Sequence, residues 1–241
     1  MVPANVRRAL RGLTSLACAA ALAGCSMFSD DDARYAPQPL TDYPPGVSAR
    51  IAWRADVGSG AGIGFAPVVL DGAVYAAAAD GHVAKYDLAT GKVIWRRDTD
   101  VRLSAGVGTD GRITAVATPQ GQVIALDENG AEKWRAQATS EVSIAPAVGF
   151  GVVVVRSGDY RIQAFNAETG ERIWSVQRPG PALALRAPTQ MQMAEGLVIT
   201  GMPGGRLMAL NTATGNVQWE GTVATPRGSS DLERVNDVAG A

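Results

Sequence analysis

Five tryptophans, Trp53, Trp95, Trp134, Trp174 and Trp219, recur along this chain at spacings of 42, 39, 40 and 45 residues. A period near 40 means that one supersecondary unit is being stacked on copies of itself. The period is carried by more than the indoles. Gly91, Gly130, Gly170 and Gly215 each stand four residues before a tryptophan. They close the runs Asp87-Leu88-Ala89-Thr90, Asp127-Glu128-Asn129, Asn166-Ala167-Glu168-Thr169 and Asn211-Thr212-Ala213-Thr214. Ala66-Pro67, Ala105-Gly106, Ala145-Pro146 and Ala187-Pro188 lie 29 to 32 residues upstream of the tryptophans.

Inside each unit the pattern is β. In the first, Val68-Val69-Leu70 is a short apolar strand and Asp71-Gly72 a tight-turn signal. A second strand runs from Ala73 to Ala79, and Asp80-Gly81 turns the chain again. Val83 to Tyr86 reads as a third strand with period-2 alternation, and Lys92 to Arg96 as the fourth. A four-stranded antiparallel meander of about 40 residues, repeated radially, is a β-propeller blade. Composition agrees: 28 glycines and 13 prolines suit many short strands joined by turns, not a helix bundle. Once per repeat, at a fixed offset from a turn glycine, each tryptophan is expected to leave an outer strand and pack between neighbouring blades. The expected fold is therefore all-β, with about four blades.

The first 24 residues read as an address. Arg7, Arg8 and Arg11 precede an apolar run from Leu13 to Gly24, too short to span a bilayer and suited to a signal peptide. The run ends in Leu22-Ala23-Gly24-Cys25, which resembles the lipobox of bacterial lipoproteins and implies lipidation at Cys25. Cys18 would leave with the signal, and the mature chain would hold no disulfide. Loss of three arginines leaves 19 basic and 23 acidic residues. By the same resemblance, Ser26 after the cysteine implies sorting to the outer membrane. Residues 25–50 then form a lipidated tether, with Asp30-Asp31-Asp32 and Pro37, Pro39, Pro44 and Pro45. A flexible tether of that length reaches about 25–30 Å. Residues 51–241 carry the blades.

Chemistry is sparse. His82 is the only histidine, in the Asp80-Gly81-His82 turn, where it reads as a solvated turn residue with no second acid in a recognisable role. One histidine and two cysteines exclude most zinc and iron–sulfur sites. The glycine run from Gly58 to Gly64 lacks the spacing and the following helix of a phosphate-binding loop, and reads as an inter-blade connection. The formal net charge of −1, with no basic-aromatic interleaving, gives no sign of nucleic-acid binding.

The (Asp/Asn)-x-x-Thr-Gly-x-x-x-Trp signature resembles the pyrroloquinoline-quinone-type propeller repeat. Within that superfamily, two segments that break the period make the chain resemble the BamB family of outer-membrane lipoproteins. They are Pro181-Ala182-Leu183-Ala184-Leu185-Arg186-Ala187 and the stretch from Gly228 to Val238. The resemblance implies an eight-bladed propeller that is a non-catalytic scaffold of the BAM complex. It implies contact with the periplasmic domains of BamA and with other complex members, help in assembling β-barrel proteins, and no cofactor. Apart from the resemblance, exposed strand edges offer an extended segment a place to add by β-augmentation, which makes unfolded outer-membrane proteins a further expected partner. Leu183, Leu185 and Arg186 match family residues that contact BamA, two apolar anchors beside a cation being the make-up of a binding hot spot. The second segment in the family carries an Asp-x-Asp pair facing the same partner. Asp237 matches its first member, and Ala239 stands where the second would be.

This chain carries four repeats plus Trp53, so the resemblance implies a propeller cut after about half its blades. The expectation is an open arc with two unprotected faces, of low stability and prone to aggregate at its edges. Trp53 would belong to the outer strand of a blade whose other strands come from the far end of the ring. Two other readings stay open at the level of sequence. One is a fragment of a quinoprotein dehydrogenase, a class that needs a calcium-bound quinone, an adjacent cysteine pair and a catalytic aspartate; no vicinal cysteines exist here. The other is a ligand-sensing propeller.

Overall fold

In the computed structural model the chain parts into two units, residues 1–50 and 51–241. The structure describes residues 46, 48–60, 62, 64–178, 189–225, 227 and 238. Every described strand belongs to the second unit.

Sixteen strands make up the described secondary structure, and none of these residues is helical. Blade 1 is β1 (Val68–Leu70), β2 (Ala73–Ala77), β3 (His82–Asp87) and β4 (Val93–Asp98). Blade 2 is β5 (Gly108–Thr109), β6 (Thr114–Ala117), β7 (Gln122–Leu126) and β8 (Glu132–Gln137). Blade 3 is β9 (Ala147–Gly149), β10 (Val152–Arg156), β11 (Arg161–Asn166) and β12 (Arg172–Gln177). Blade 4 is β13 (Gln192–Ala194), β14 (Leu197–Met202), β15 (Arg206–Asn211) and β16 (Val217–Thr222). Each blade is one antiparallel meander with its strands in chain order. The expected all-β architecture, with about four blades, is therefore what the described residues adopt.

The first hairpin shows why the turns fall where they do. Leu70 pairs with Ala73, leaving Asp71 and Gly72 as a two-residue loop with φ of 47° and 73°. Two consecutive positive φ values are the mark of a type I′ turn, which matches the twist of the strands it joins.

The repeat signature itself is turn chemistry. Asp87 Oδ1 accepts hydrogen bonds from the Thr90 backbone N–H at 2.8 Å and from its hydroxyl at 2.6 Å. Asn166 Oδ1 accepts from the backbones of Glu168 and Thr169, and Asn211 Oδ1 from Ala213 and Thr214. Each side chain satisfies N–H groups that the tight turn leaves without ladder partners.

Three apolar clusters hold the blades in file, each built across one blade–blade boundary. Tyr75 and Val83 of blade 1 meet Val116 and Ile124 of blade 2. Ala115 and Val123 of blade 2 meet Val153 and Phe165 of blade 3. Val154 and Ile162 of blade 3 meet Val198 and Met208 of blade 4. One tryptophan sits in each cluster: Trp95, Trp134 and Trp174 respectively.

This layering corrects one expectation. The third strand of blade 1 does not alternate between core and solvent: Val83 and Ala84 are both fully buried, and β6 and β10 are buried at almost every position. β6 and β10 lie between two blades, and β3 lies between blade 2 and the Trp53 segment, so these strands have no fully wet face and carry no clean period-2 signal. Trp53 is the second departure. Its segment forms no ladder in the described residues, yet the indole is half-buried against blade 1.

Candidate functional site: joints and long connections

The joints come first, because they place everything else. In each, the indole of one blade lies on the turn glycine of the next. Its N–H donates to a backbone carbonyl of that same turn. Trp95 donates to Glu128 at 2.9 Å, Trp134 to Ala167 at 2.9 Å and Trp174 to Thr212 at 2.8 Å. A Cβ on Gly130, Gly170 or Gly215 would stand 2.7 Å from the facing ring, and all three glycines have φ between 73° and 80°. Only glycine supplies both that conformation and that clearance. Trp95, Trp134 and Trp174 thus pack between blades as expected, and the Asp- or Asn-led turns that close in Gly130, Gly170 and Gly215 build the seats that receive them.

Trp53 uses the same device from outside any blade. Its indole N–H donates to the Leu88 carbonyl at 2.8 Å, and its ring lies over Gly91. The segment behind it is pinned too. Asp56 offers its carbonyl to the Tyr86 hydroxyl at 2.9 Å and to Arg96. The Asp80 carboxylate accepts from the Ser59 backbone at 2.6 Å and from its hydroxyl at 2.8 Å. Ser59's N–H, and then His82, hold the Asp80 carboxyl well below the ordinary carboxylate range.

His82 is not a lone turn residue. It opens β3, its Nδ1 stands 3.0 Å from Asp80 Oδ1, and its Nε2 lies 3.9 Å from Asp98 Oδ2 on the paired strand β4. The second acid is distant in sequence and is brought in by the β3–β4 register. The cluster's observed work is structural, since Asp80 fastens the Trp53 segment to blade 1.

The inner strands of all four blades converge on one cavity of about 480 Å³, lined by Val68, Gly108, Pro146, Met191 and Met193 among others. Among the described residues no charged side chain lines it. Nor is any group of three His, Cys, Asp or Glu among the described residues placed to hold a metal ion.

The sequence-derived site residues Leu183, Leu185, Arg186 and Asp237, and the lipidation candidate Cys25, lie outside the described residues. What can be placed are the ends of the two segments that break the repeat. The connection from β12 to β13 covers residues 178–191, whereas the corresponding ones cover 99–107 and 138–146. Thr189, near the end of that long connection, donates its hydroxyl to the carbonyl of Val238, the residue after Asp237. Val238 also packs over Gly201 of β14, where an added Cβ would meet it at 3.0 Å. Thr189 and Val238, some fifty residues apart in sequence, therefore meet at one place on blade 4. The sequence marks Val238 as the end of the second break but carries no signal that pairs it with Thr189, because the contact joins residues far apart in the chain.

The chain is similar to known proteins. A family model described as "Outer membrane protein assembly factor BamB" matches residues 46–101 and 79–241. A protein of that name from Bordetella pertussis is 67% identical over 97% of this chain and 61% of its own length. Its namesake from Burkholderia pseudomallei is 43% identical over 94% of this chain and 60% of its own. The chain thus spans about 60% of the length of these curated relatives. Among solved structures, BamB from Moraxella catarrhalis matches with a TM-score of 0.66 at 24% identity, over 73% of this chain and 54% of that one. The quinohemoprotein alcohol dehydrogenase from Comamonas testosteroni matches with a TM-score of 0.57 at 23% identity, over 72% and 37%. At such identities the structural matches speak for the fold alone, and the dehydrogenase reading gains nothing beyond it.

Proposed function

The chain belongs to the BamB family of outer membrane protein assembly factors, and from that premise we propose that it is a non-catalytic scaffold lipoprotein of the BAM complex. Residues 1–24 are its signal peptide, Cys25 bears the lipid, and residues 26–50 tether the blades to the periplasmic face of the outer membrane. Two signals are needed for firm anchoring by acyl chains, and a multiply acylated cysteine supplies them. The blades hold inter-blade connections toward BamA, and through BamA the protein assists insertion of β-barrel proteins.

The observation that supports this reading best is the meeting of Thr189 with Val238. It joins a residue two positions after Ala187 to the residue after Asp237, and so ties together the described ends of the stretches that carry Leu183, Leu185, Arg186 and Asp237 in sequence. An ordinary blade connection needs neither extra length nor a second long connection beside it. Apolar anchors next to a cation in sequence, Leu183 and Leu185 before Arg186, have the make-up of a binding hot spot.

The test is capture of BamA from detergent-solubilised outer membranes by the full chain. Leu183→Ala, Leu185→Ala and Arg186→Ala combined should cost about 2 kcal/mol or more of affinity while leaving the far-ultraviolet circular dichroism unchanged. Undiminished capture by a folded triple variant would refute the site. Asp237→Ala should cost less, because Ala239 leaves it without the second carboxylate of the pair.

A further inference from the structure

Every turn that seats a tryptophan closes on a glycine, but the residue before that glycine differs. It is Thr90, Thr169 and Thr214 in three of the turns, and Asn129 in the blade 2 turn that receives Trp95. Asn-Gly is the pair in a protein chain most given to spontaneous deamidation. The carboxamide carbon lies within reach of the next backbone nitrogen, and glycine has no side chain to hinder the attack. A threonine in the same place offers no carbonyl and cannot react. Blade 2 therefore carries, at the centre of a joint, a reactive pair that the other seats lack.

The geometry holds that chemistry in check. Gly130 is buried, with φ of 80°, and its N–H donates to the Asp127 carbonyl at 3.1 Å. The nitrogen that would attack is thus held to another acceptor, under the ring of Trp95. Asp127 braces the turn, its Oδ1 accepting from the backbones of Asn129 and Ala131 at 2.9 Å each. Trp95 closes it from blade 1 through its bond to the Glu128 carbonyl. Asn129 itself is exposed, and no partner holds its carboxamide among the described residues. An exposed electrophile therefore sits beside a nucleophile that the closed joint restrains.

The other described asparagines lack this combination. Asn166 and Asn211 each have the carboxamide oxygen bonded to two backbone N–H groups, and they precede Ala167 and Thr212. Asn216 is exposed but precedes Val217, whose branched side chain crowds the nitrogen.

We propose that Asn129 is a site of spontaneous deamidation gated by the Trp95 joint. When the joint opens locally, the Gly130 nitrogen gives its proton to solvent and attacks Cγ of Asn129. The new N–Cγ bond closes a succinimide ring. The Cγ–Nδ2 bond breaks, and the nitrogen leaves as ammonia, taking up a proton in exchange. One water then opens the ring. Opening at Cγ leaves aspartate with the backbone unchanged. Opening at the Asn129 backbone carbonyl leaves isoaspartate, whose main chain runs on through Cβ. Isoaspartate thus adds a backbone carbon between the Glu128 carbonyl and Gly130, the two points that Trp95 engages. A turn so lengthened cannot present both at once, and a transient opening becomes permanent.

Peptide mapping of the full 241-residue chain after incubation at mildly alkaline pH tests the proposal, with isoaspartate counted by enzymatic methylation. In guanidinium chloride Asn129 should react faster than any other asparagine. In the native chain its rate should fall at least about tenfold, as an opening free energy above about 1.4 kcal/mol requires. Trp95→Phe keeps an aromatic ring but has no N–H for Glu128. It should raise the native rate several-fold with unchanged circular dichroism, and Trp95→Ala should raise it further. Asn129→Thr, copying the other seats, should abolish the reaction. The isoaspartyl form should unfold at lower urea than the parent, whereas Asn129→Asp, with its backbone intact, should stay close to it. Equal rates in the native and unfolded chain, a folded Trp95→Phe that reacts no faster, or an unfolded chain in which another asparagine leads would overturn it.

Discussion

Trp174 and Trp219 occupy the same place in consecutive repeats. Each stands four residues after a glycine, each pairs with an alanine, and each is attended by the same slip in register. Yet Trp174 is 9% exposed and Trp219 is 43% exposed. Nothing in the local strand accounts for the gap. What differs is the body on the far side: Trp174 meets the turn of Gly215, whereas Trp219 meets no such turn among the described residues. The motif therefore encodes half a joint. Burial, the indole hydrogen bond and the resulting stability are properties of two blades together.

That comparison can be broken by substitution. The largest effect is expected from Trp134→Ala, which empties the boundary between blades 2 and 3, removes its ring contact with Phe165 and orphans the Ala167 carbonyl. Loss of a buried tryptophan costs about 3–5 kcal/mol, and the urea midpoint should fall accordingly. Gly170→Ala attacks the same joint from its acceptor side. A left-handed alanine costs about 1–2 kcal/mol, and a methyl 2.7 Å from the Trp134 ring adds an overpacking cost of about 1–3 kcal/mol. Gly72→Ala is the control. Its φ is 73° but nothing lies within 4 Å, so the loss should stay near the backbone cost of about 1–2 kcal/mol. Equal losses at Gly170 and Gly72 would mean that the ring does not press on the turn. Trp219→Ala should cost under about 1 kcal/mol in dilute solution, where the exposed indole has little to lose. A loss as large as that of Trp134→Ala would show that Trp219 is seated.

The smallest effect separates blade 1 from blades 3 and 4 by pH. Their seats are built on Asp87, Asn166 and Asn211, and only the first titrates. The Thr90 hydroxyl and then its backbone N–H lower the pKa of Asp87 below the ordinary carboxylate value. A lowered folded pKa favours the folded state above the unfolded value and loses that contribution as pH falls through the folded one. Urea midpoints at pH 7 and pH 3 should therefore differ less for Asp87→Asn than for the parent. An unchanged difference would remove Asp87 from the acid response.

Much of this architecture was legible in the sequence. Tryptophan spacing, turn glycines and Asp-Gly or Asx-x-x-Thr-Gly runs are local features, set by backbone sterics and by hydrogen bonds only a few residues long. They announced four meanders and indoles between blades. The turn at Phe150-Gly151 was not announced: Phe150 takes a positive φ of 52° without any Asx or glycine signal of its own. The candidate contacts Leu183, Leu185, Arg186 and Asp237 were read from resemblance, and so was Cys25. Composition has no way to mark a docking loop, and periodicity shows only where the repeat is interrupted, not what the interruption contacts.

The sequence by itself determined the repeat, the meander and the donor and acceptor halves of every joint, because each is built from residues close together in the chain. Only the tertiary structure decided which halves are joined. It buried both faces of the inner strands, set Asp98 beside His82, fastened the Trp53 segment through Asp80, brought Thr189 to Val238 and left Trp219 exposed. Those outcomes depend on which surfaces face each other across residues far apart in the chain, and side-chain packing between sheets leaves no period in either strand alone.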